Sequence, residues 1–344
     1  MRVLRSLIIV GILLVAISVQ AGNTGELVRI KQNYFRMLVP SGEDSFGLLS
    51  ILSSIQPEKE ISDQAVVELH QRYPFDLKKI EIYLSSFMET GMWMDINYED
   101  KKRSGWEPKL HTERILELVK LYNSKQTFYY HSPEVEKVIH RALDYWFTAK
   151  PVCLNWWYNQ IGIPKTLGTA FILFEEKLTP AEKQKAITVM ENAKFGMTGQ
   201  NKVWLAGNVM MRALLQNDYE LVKMARDTIA SEIVTGGAEG IKNDWCFHQH
   251  GSQQQFGNYG LSFVSGMSFF SGLFSGTSLA FDDKQLNILS TLIDKGYRWV
   301  IWNGMMDVNA LGRQLFHHAP VHKALSLAFA ASELGGGESE ECMA

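Results

Sequence analysis

Hydrophobic residues recur every three or four positions along most of the 344-residue chain. This is the period of a helix with one buried face, and no sustained alternation of the kind that strands produce accompanies it. The residues at this spacing are Leu77, Ile80, Leu84 and Phe87, then Ile115, Val119 and Tyr122, then Val135, Ile139, Ala142 and Trp146. The pattern predicts further helices over about 203–215, 219–233, 260–274, 286–302 and 321–334.

Two helix starts are marked by capping residues. Ser132 precedes Pro133, a cap before a first-turn proline, and Thr179 and Glu182 form a capping box around Pro180. Short helices joined by short polar turns are typical of αα-hairpins, which can close into a toroid. Periodicity alone does not separate a toroid from an irregular bundle or a solenoid, although no fixed-period repeat favours a solenoid.

The chain begins with the features of a secretory signal peptide. Basic residues, an apolar run over 6–19 and a small residue, Ala21, follow one another, so we expect residues 1–21 to be removed. An uncleaved anchor is the alternative, but the run is shorter than the ~20 residues of a spanning helix. We expect a periplasmic or extracellular protein with one helical domain at 22–334 and a flexible, acidic, glycine-rich tail at 335–344.

Composition argues against several kinds of site. Cys153, Cys246 and Cys342 are too few for a disulfide framework, and no Cys-x-x-Cys or His-Glu-x-x-His spacing indicates zinc, so we expect no metal and no cofactor. Cleavage would remove Arg2 and Arg5 and make the formal charge of −3 more negative by two. Attraction to an anionic partner therefore requires a local basic lining. We expect a monomer that does not bind nucleic acid.

The densest candidate chemistry lies over 243–260. This stretch contains His248 and His250, and Tyr259 follows nine residues after His250. On one straight helix that separation would set the two side chains on opposite faces, because each residue turns by ~100°. The glycines in the stretch indicate instead a bent path that can bring the imidazole and the phenol together.

An aromatic cluster lies further towards the N-terminus. Trp156 and Trp157 are followed by Tyr158, and Asn155 and Asn159 flank them. Successive positions on a helix point about 100° apart, so these rings cannot all enter one core. Rings that stack on sugar faces, with amides that bond hydroxyl groups, would form a glycan subsite. An aromatic corner of the core is an equally compatible interpretation.

Two polar segments carry further candidate groups. Asn201 and Lys202 precede an apolar helical run, where an asparagine is most often a helix cap, although a helix start with an adjacent lysine also suits a bound carboxylate. Arg313 follows Asp307 and Asn309 at close range, which indicates either a positioned cation or an ordinary surface ion pair. His317 and His318 come directly afterwards.

Together these four stretches resemble polysaccharide lyase family 8, which contains the chondroitin AC, hyaluronate and xanthan lyases. The matching motifs are Asn-Trp-Trp-Tyr-Asn at 155–159, Thr-Gly-x-Asn-Lys at 198–202, Gln-His-Gly at 249–251 with the later tyrosine, and Asp-x-Asn-x-x-Gly-Arg at 307–313. Their order and spacing agree over about 150–315. The run Gln-His-Gly-x-Gln-x-Gln is most similar to the chondroitin AC lyase branch.

The resemblance implies an all-α, incomplete α/α toroid that binds an acidic polysaccharide, with β-domains following it in the family. It implies β-elimination at a 4-linked uronate, which leaves an unsaturated uronate end. In this reaction Asn201 and His250 would contact the uronate carboxylate, and Tyr259 would transfer the proton beside Arg313. Hydrogen-bond donors at such a position stabilise the negative charge that develops on the carboxylate.

The resemblance also implies substrate-binding positions. Trp156 and Trp157 match the family's aromatic platform, and we assign Asn309 and His317 to the substrate side. Many members have a second arginine where this chain has His317. The family's β-domains would begin about where this sequence ends, at Ala344.

Two other functions stay open. One is a truncated, inactive helical domain that only binds acidic glycans. The other is an α/α-toroid glycoside hydrolase, which would need a pair of carboxylates across the bond. Asp244 and Asp307 are the acids near the motifs.

Overall fold

The helix starts predicted from capping residues are confirmed. In a computed structural model, which describes residues 22–39, 76–313, 315 and 318–334, Ser132 caps a helix that has Pro133 in its first turn. Thr179 and Glu182 form the reciprocal capping box: the hydroxyl accepts the Glu182 N–H at 3.2 Å, and the carboxylate accepts the Thr179 N–H at 2.8 Å. Local sequence thus decides where these helices begin.

The described residues form eleven α-helices. In chain order they are α1 over 22–38, α2 Leu77–Ser85, α3 Lys109–Asn123, α4 Pro133–Ala149, α5 Ile163–Leu173, α6 Pro180–Met190, α7 Gly199–Gln216, α8 Tyr219–Ala230, α9 Leu261–Phe274, α10 Asp283–Thr291 and α11 Ala319–Leu334. Turns with π-helical hydrogen bonding over Tyr158–Gly162 and Phe256–Gly260 lead directly into α5 and α9.

The helices form two layers of an incomplete α/α toroid. In the inner layer α3 packs on α5, α5 on α7, α7 on α9 and α9 on α11. In the outer layer α4 packs on α6, and each of α4, α6 and α8 pairs with the inner helix that precedes it. The predicted αα-hairpins and the all-α fold class are therefore confirmed.

Helix α1 covers one end of the inner layer. Its Asn33 amide donates to the carbonyls of Leu273 and Ser275 at the end of α9, at 2.8 and 3.0 Å. Its Lys31 ammonium donates to Asn217, which ends α7, and pairs with Glu175, which follows α5. Because α1 occupies the C-terminal ends of these helices, their N-terminal ends form the opposite, open end.

The prediction of one helix over 286–302 is wrong. Helix α10 ends at Thr291, and the chain continues through a π turn, Leu292–Gly296, and a 3-10 turn, Tyr297–Val300. Strand β3, Ile301–Trp302, then pairs with strand β4, Met305–Met306. The cause is a tertiary contact, because the Tyr297 hydroxyl donates to the carbonyl of Phe256 at 3.0 Å and fixes the chain there.

A second short pair of strands precedes the π turn before α9. Strand β1, Gly240–Ile241, pairs antiparallel with strand β2, Phe247–His248. The Gln255 N–H donates to the carbonyl of Phe247 at 2.8 Å, so the segment between β2 and α9 folds back on β2. This fold brings the residues after β2 close to the N-terminal end of α7.

Some predictions concern residues that lie outside the described ranges. These are the signal peptide at 1–21, the tail at 335–344, Cys342 and His317. Cys153 is buried and Cys246 is partly buried, and neither forms a disulfide in the described part of the chain. Within the same ranges, none of the helices has the length and apolar character needed to cross a bilayer.

Candidate functional site

The open end of the toroid has an amide in the first turn of α7 that the protein leaves unused. Asn201 is only 7% exposed, and its Oδ1 atom has no hydrogen-bond partner. Thr198 is the residue that precedes the helix, so Asn201 is the third helical residue and is not its cap. A buried amide oxygen without a partner costs about 1–3 kcal/mol, a cost that a bound ligand or water can remove.

Two backbone N–H groups and the lysine of this helix start are already occupied, although the buried Gln200 side-chain amide has no partner. The Gly199 N–H donates to Glu232 at 2.8 Å, and the Gln200 N–H donates to Gln249 Oε1 at 2.9 Å. The Lys202 ammonium pairs with Glu232 at 2.9 Å. Two of the N–H groups and the lysine that the sequence offered to a bound carboxylate are therefore paired with the protein's own side chains.

His250 lies on a turn beside this helix start. Its φ of 60° is left-handed, and its side chain is exposed. The Glu239 carboxylate accepts the N–H of the next residue, Gly251, at 3.0 Å and the Thr198 hydroxyl at 2.5 Å. Burial raises the pKa of Glu239, but these hydrogen bonds outweigh it, so the net pKa lies below its usual value.

The bent path predicted between His250 and Tyr259 is present. Tyr259 lies in the π turn before α9 and is 8% exposed, and its ring meets the His250 ring edge to face with centroids 4.9 Å apart. Such π turns interrupt the regular helix ladder and are frequent at functional sites. The turn changes the side-chain direction that a straight helix would impose.

The loop that carries Arg313 packs directly on this π turn. A Cβ atom on Gly257 would lie 2.6 Å from the carbonyl oxygen of Ala310, so only glycine permits the approach. The Arg313 guanidinium carbon lies 6.0 Å from the centre of the Tyr259 ring. Buried Lys323 on α11 joins both segments, because its ammonium donates to the carbonyls of Gly257 and Leu311.

Aromatic rings continue from Tyr259 along the open end. The Trp204 ring centroid lies 5.9 Å from that of Tyr259 and 5.7 Å from that of Trp157. Trp156 is 41% exposed, whereas Tyr158 packs on Trp106 in the core. Trp157 therefore belongs to the row of rings beside Tyr259, Trp156 is exposed to solvent, and Tyr158 packs inward.

The amides beside these tryptophans are used within the loop. Asn159 donates to the Cys153 carbonyl at 2.8 Å and accepts its N–H at 3.0 Å. Asn155 donates to the Arg103 carbonyl at 3.0 Å and accepts the Trp157 N–H at 3.1 Å. Both asparagines stabilise the loop conformation. Their amides, which the sequence suggested for bonding glycan hydroxyl groups, are therefore already hydrogen-bonded within the protein.

Two residues beside the rings, Trp204 and Lys165, were not predicted from the sequence. Trp204 lies three positions after Asn201, so the two side chains share one face of α7 one turn apart. Lys165 on α5 places its ammonium 5.9 Å from the Trp204 ring centre. The spacing of three residues between Asn201 and Trp204 could have predicted that both lie on the same face of α7. The contact of Lys165 could not be predicted in this way, because it depends on how α5 packs against α7.

Several predicted residues make contacts with residues that do not belong to the cluster around Tyr259. Asn309 is exposed and donates to Asp307, which caps the short 3-10 turn Val308–Ala310. Asp244 accepts the Cys246 N–H at 3.1 Å in another turn, and His248 pairs with β1. The two carboxylates that a hydrolase would need are thus both engaged in local turns.

No group of three or more His, Cys, Asp or Glu side chains that could hold a metal ion occurs within the ranges that the structure describes. The polar groups that converge are amide, imidazole, phenol and guanidinium. They suit an organic anion rather than a cation, since all four can donate a hydrogen bond.

The fold and these motifs define a member of polysaccharide lyase family 8. Residues 63–332 match the N terminal alpha-helical domain of that family, and the chain therefore belongs to it. The chain is 29% identical over 256 residues to Chondroitinase-AC of Pedobacter heparinus, an alignment that covers 71% of this chain and 37% of that protein. It is 26% identical over 198 residues to a xanthan lyase of Bacillus sp. strain GL1, covering 54% and 21% of the two chains.

Solved structures share the fold. The chondroitin AC lyase of Streptomyces coelicolor A3, in complex with chondroitin sulphate, superposes with a TM-score of 0.72 at 17% identity, over 92% of this chain and 43% of that one. A chondroitinase AC lyase structure gives a TM-score of 0.68 at 23% identity, over 91% and 45% of the two chains. The chain thus spans less than half the length of these relatives.

Proposed function

We propose that the chain is a lyase domain that cleaves a uronate-containing glycosaminoglycan of the chondroitin or hyaluronan type by β-elimination. The observation that carries this proposal is the position of the Tyr259 ring, which contacts the His250 imidazole on one side and has the Arg313 guanidinium nearby. Family membership supports the reaction class. Export through the predicted signal peptide suits a polymeric substrate and belongs to the same proposal.

The reaction needs one group that first accepts and later donates a proton. The C5–H bond of the uronate breaks, its proton passes to the Tyr259 oxygen, and its electron pair forms the C4=C5 double bond. The C4–O bond breaks as the departing oxygen takes a proton from the same phenol. The positive charge of the nearby Arg313 guanidinium would stabilise the negative charge that develops in the transition state.

The uronate carboxylate needs hydrogen bonds that strengthen as charge moves onto it. The Asn201 N–H₂ group and the exposed His250 ring are the groups available for this role, while the unpaired Asn201 Oδ1 atom is an acceptor that a sugar hydroxyl could satisfy. Donors held in place before the reaction stabilise the developing charge without reorganising.

The remaining surface suits an acidic sugar polymer. Trp156, Trp157 and Trp204 offer ring faces for stacking, and Lys165 adds a positive charge beside them. Together with Arg313, Lys165 provides the local basic lining that the negative net charge of the chain requires.

The test is turnover of chondroitin and hyaluronan by the complete natural polypeptide that carries this chain. We expect the ultraviolet absorbance of unsaturated uronate to rise with the wild-type protein and not with Tyr259→Phe. The phenylalanine variant keeps the ring and its packing but has no oxygen to transfer the proton. Absence of the signal from a folded wild-type protein that binds both polymers would refute the proposal.

The same experiment separates the proposed function from a glycan-binding domain. Equal oligosaccharide binding by wild type and Tyr259→Phe, with turnover in neither, would favour binding alone. A hydrolase would instead release products that have a new reducing end and no double bond.

A further inference from the structure

The helix start that carries Asn201 and the turn that carries His250 are joined by one carboxylate. We infer that Glu239 is a positioning residue that sets the Asn201 amide and the His250 imidazole at the separation needed to bind one uronate carboxylate. The inference deepens the proposed function and rests on it for its catalytic meaning. Its test, however, has readouts that do not require turnover.

The contacts of Glu239 reach both segments. Its Oε2 atom accepts the hydroxyl proton of Thr198, the residue before α7, at 2.5 Å. Its Oε1 atom accepts the Gly251 N–H at 3.0 Å, directly after His250. Its Oε2 atom also accepts from the Gln249 side-chain amide. One carboxylate is therefore hydrogen-bonded on both sides of the gap between the two segments.

Gln249 extends this link into the helix. While its amino group donates to Glu239, its Oε1 atom accepts the Gln200 N–H at 2.9 Å, and the side chain is almost fully buried. The fit is close, since a Cβ atom on Gly199 would lie 2.3 Å from that Oε1 atom, and Gly199 has a left-handed φ of 58°. A shift of Glu239 would therefore move the helix start and the histidine turn relative to each other.

An ionised carboxylate is suited to this position because it only accepts hydrogen bonds. The Thr198 hydroxyl, the Gly251 N–H and the Gln249 amide are all donors, and a glutamine at position 239 would present its own N–H₂ group to one of them. The left-handed backbone of His250 needs such support, since that conformation costs a non-glycine residue roughly 1 kcal/mol or more.

A positioning role for Glu239 and simple charge repulsion predict opposite effects on substrate binding when the Glu239 charge is removed. Glu239 carries a negative charge near the place where an anionic sugar would bind, so charge repulsion alone predicts tighter binding when that charge is removed. The positioning role predicts weaker and less selective binding, because Asn201 and His250 would no longer converge. The sign of the change therefore decides between the two explanations.

The experiment uses Tyr259→Phe as the parent, so that substrate is bound without turnover. Calorimetry compares a chondroitin tetrasaccharide with its carboxyl-reduced form, in the parent and with Glu239→Gln added. We expect the parent to bind the carboxylate form more tightly than the carboxyl-reduced form. Adding Glu239→Gln should lower the ratio of these two affinities about tenfold, as expected for loss of one charge-assisted hydrogen bond.

Glu232→Gln is the matched control. Glu232 also accepts an N–H of the helix start and pairs with Lys202, but its described contacts do not include the His250 turn. It should leave the preference for the carboxylate form unchanged. Both variants should keep the helical circular dichroism of the parent, which shows that any difference is local.

Amide hydrogen exchange decides the inference independently of glycan binding. Exchange over 249–252 should accelerate several-fold in Glu239→Gln and stay unchanged in Glu232→Gln, because only the first variant frees the Gly251 N–H. Unchanged exchange, or a preference for the carboxylate form that is kept or increased, would overturn the inference. Failure of the parent to bind either oligosaccharide would count against the proposed function, while the exchange result would still test the role of Glu239.

Discussion

The buried histidine of α3 should make the fold sensitive to acid. His111 is fully buried, its Nδ1 atom lies 2.9 Å from the Tyr98 hydroxyl, and its Nε2 atom lies 2.9 Å from the Ala142 carbonyl. Neutral imidazole satisfies both, accepting from the phenol and donating to the carbonyl. Burial, together with the positive charge of Arg114, lowers the pKa of His111 from 6.5 to about 3.

The magnitude follows from proton linkage. The unfolded chain takes up a proton at this histidine as pH falls below about 6.5, whereas the folded protein resists until about pH 3. The contribution of His111 to stability is thus complete above the unfolded pKa and is lost progressively as pH falls towards the folded pKa. At pH 4.5 the loss amounts to roughly 3 kcal/mol, since one pKa unit corresponds to about 1.4 kcal/mol.

The perturbation is His111→Gln, whose amide can donate and accept but does not titrate. Urea unfolding at pH 7.5 and 4.5 should show a loss of unfolding free energy on acidification that is roughly 3 kcal/mol smaller in the variant than in the wild type. Tyr98→Phe is the control, because it keeps the buried histidine and should keep the acid loss. The reasoning is refuted if wild type and His111→Gln lose the same stability between the two pH values.

Three further predictions concern the site. Lys323→Met should lower the unfolding free energy by about 1–3 kcal/mol and reduce turnover, because two buried carbonyls lose a charged donor; urea unfolding that matches the exposed Lys284→Met would contradict this. Trp204→Ala should weaken oligosaccharide binding about tenfold, whereas Trp204→Phe should keep most of the affinity, and equal calorimetric affinities for the two variants would argue against stacking. Asn201→Asp should reduce kcat about 100-fold or more, since a carboxylate replaces a hydrogen-bond donor beside the uronate; an unchanged kcat would remove Asn201 from the proposed mechanism.

Local features of the sequence were sufficient to predict much of the fold. The cap at Ser132 and the capping box at Thr179 depend on residues within one helical turn, so they could be recognised without tertiary information. The same holds for the apolar stripes of α3 and α4. Closure into two layers could not be derived from periodicity, because every αα-hairpin presents a similar stripe whichever neighbour it meets.

Predictions failed where distant segments determine local structure. The helix predicted over 286–302 is broken where Tyr297 bonds to the carbonyl of Phe256, 41 residues earlier in the chain. The first N–H groups of α7 looked free for a carboxylate, but Glu232 and Gln249 accept two of them from later segments. Such contacts have no signature in the residues next to the site.

Candidate site residues were found where a motif is compact. His250 and Tyr259 are nine residues apart, and the glycines around them signalled the bend that brings the rings together. Glu239 and Lys323 were missed because they act through backbone groups of other segments. The sequence around an isolated glutamate or lysine does not indicate such a role. The hydrogen bonds of its side chain to backbone groups, seen in the structure, do indicate it.

Mass spectrometry of the cleavage products tests the proposed elimination most directly. A defined chondroitin oligosaccharide is incubated with the complete natural polypeptide in water enriched in ¹⁸O, and the masses of both fragments are measured. Elimination predicts fragments whose masses add up to that of the substrate, with no ¹⁸O in either and no cleavage by Tyr259→Phe. Fragments that together exceed the substrate by one water molecule, with ¹⁸O in the new end, would contradict the proposal and indicate a hydrolase.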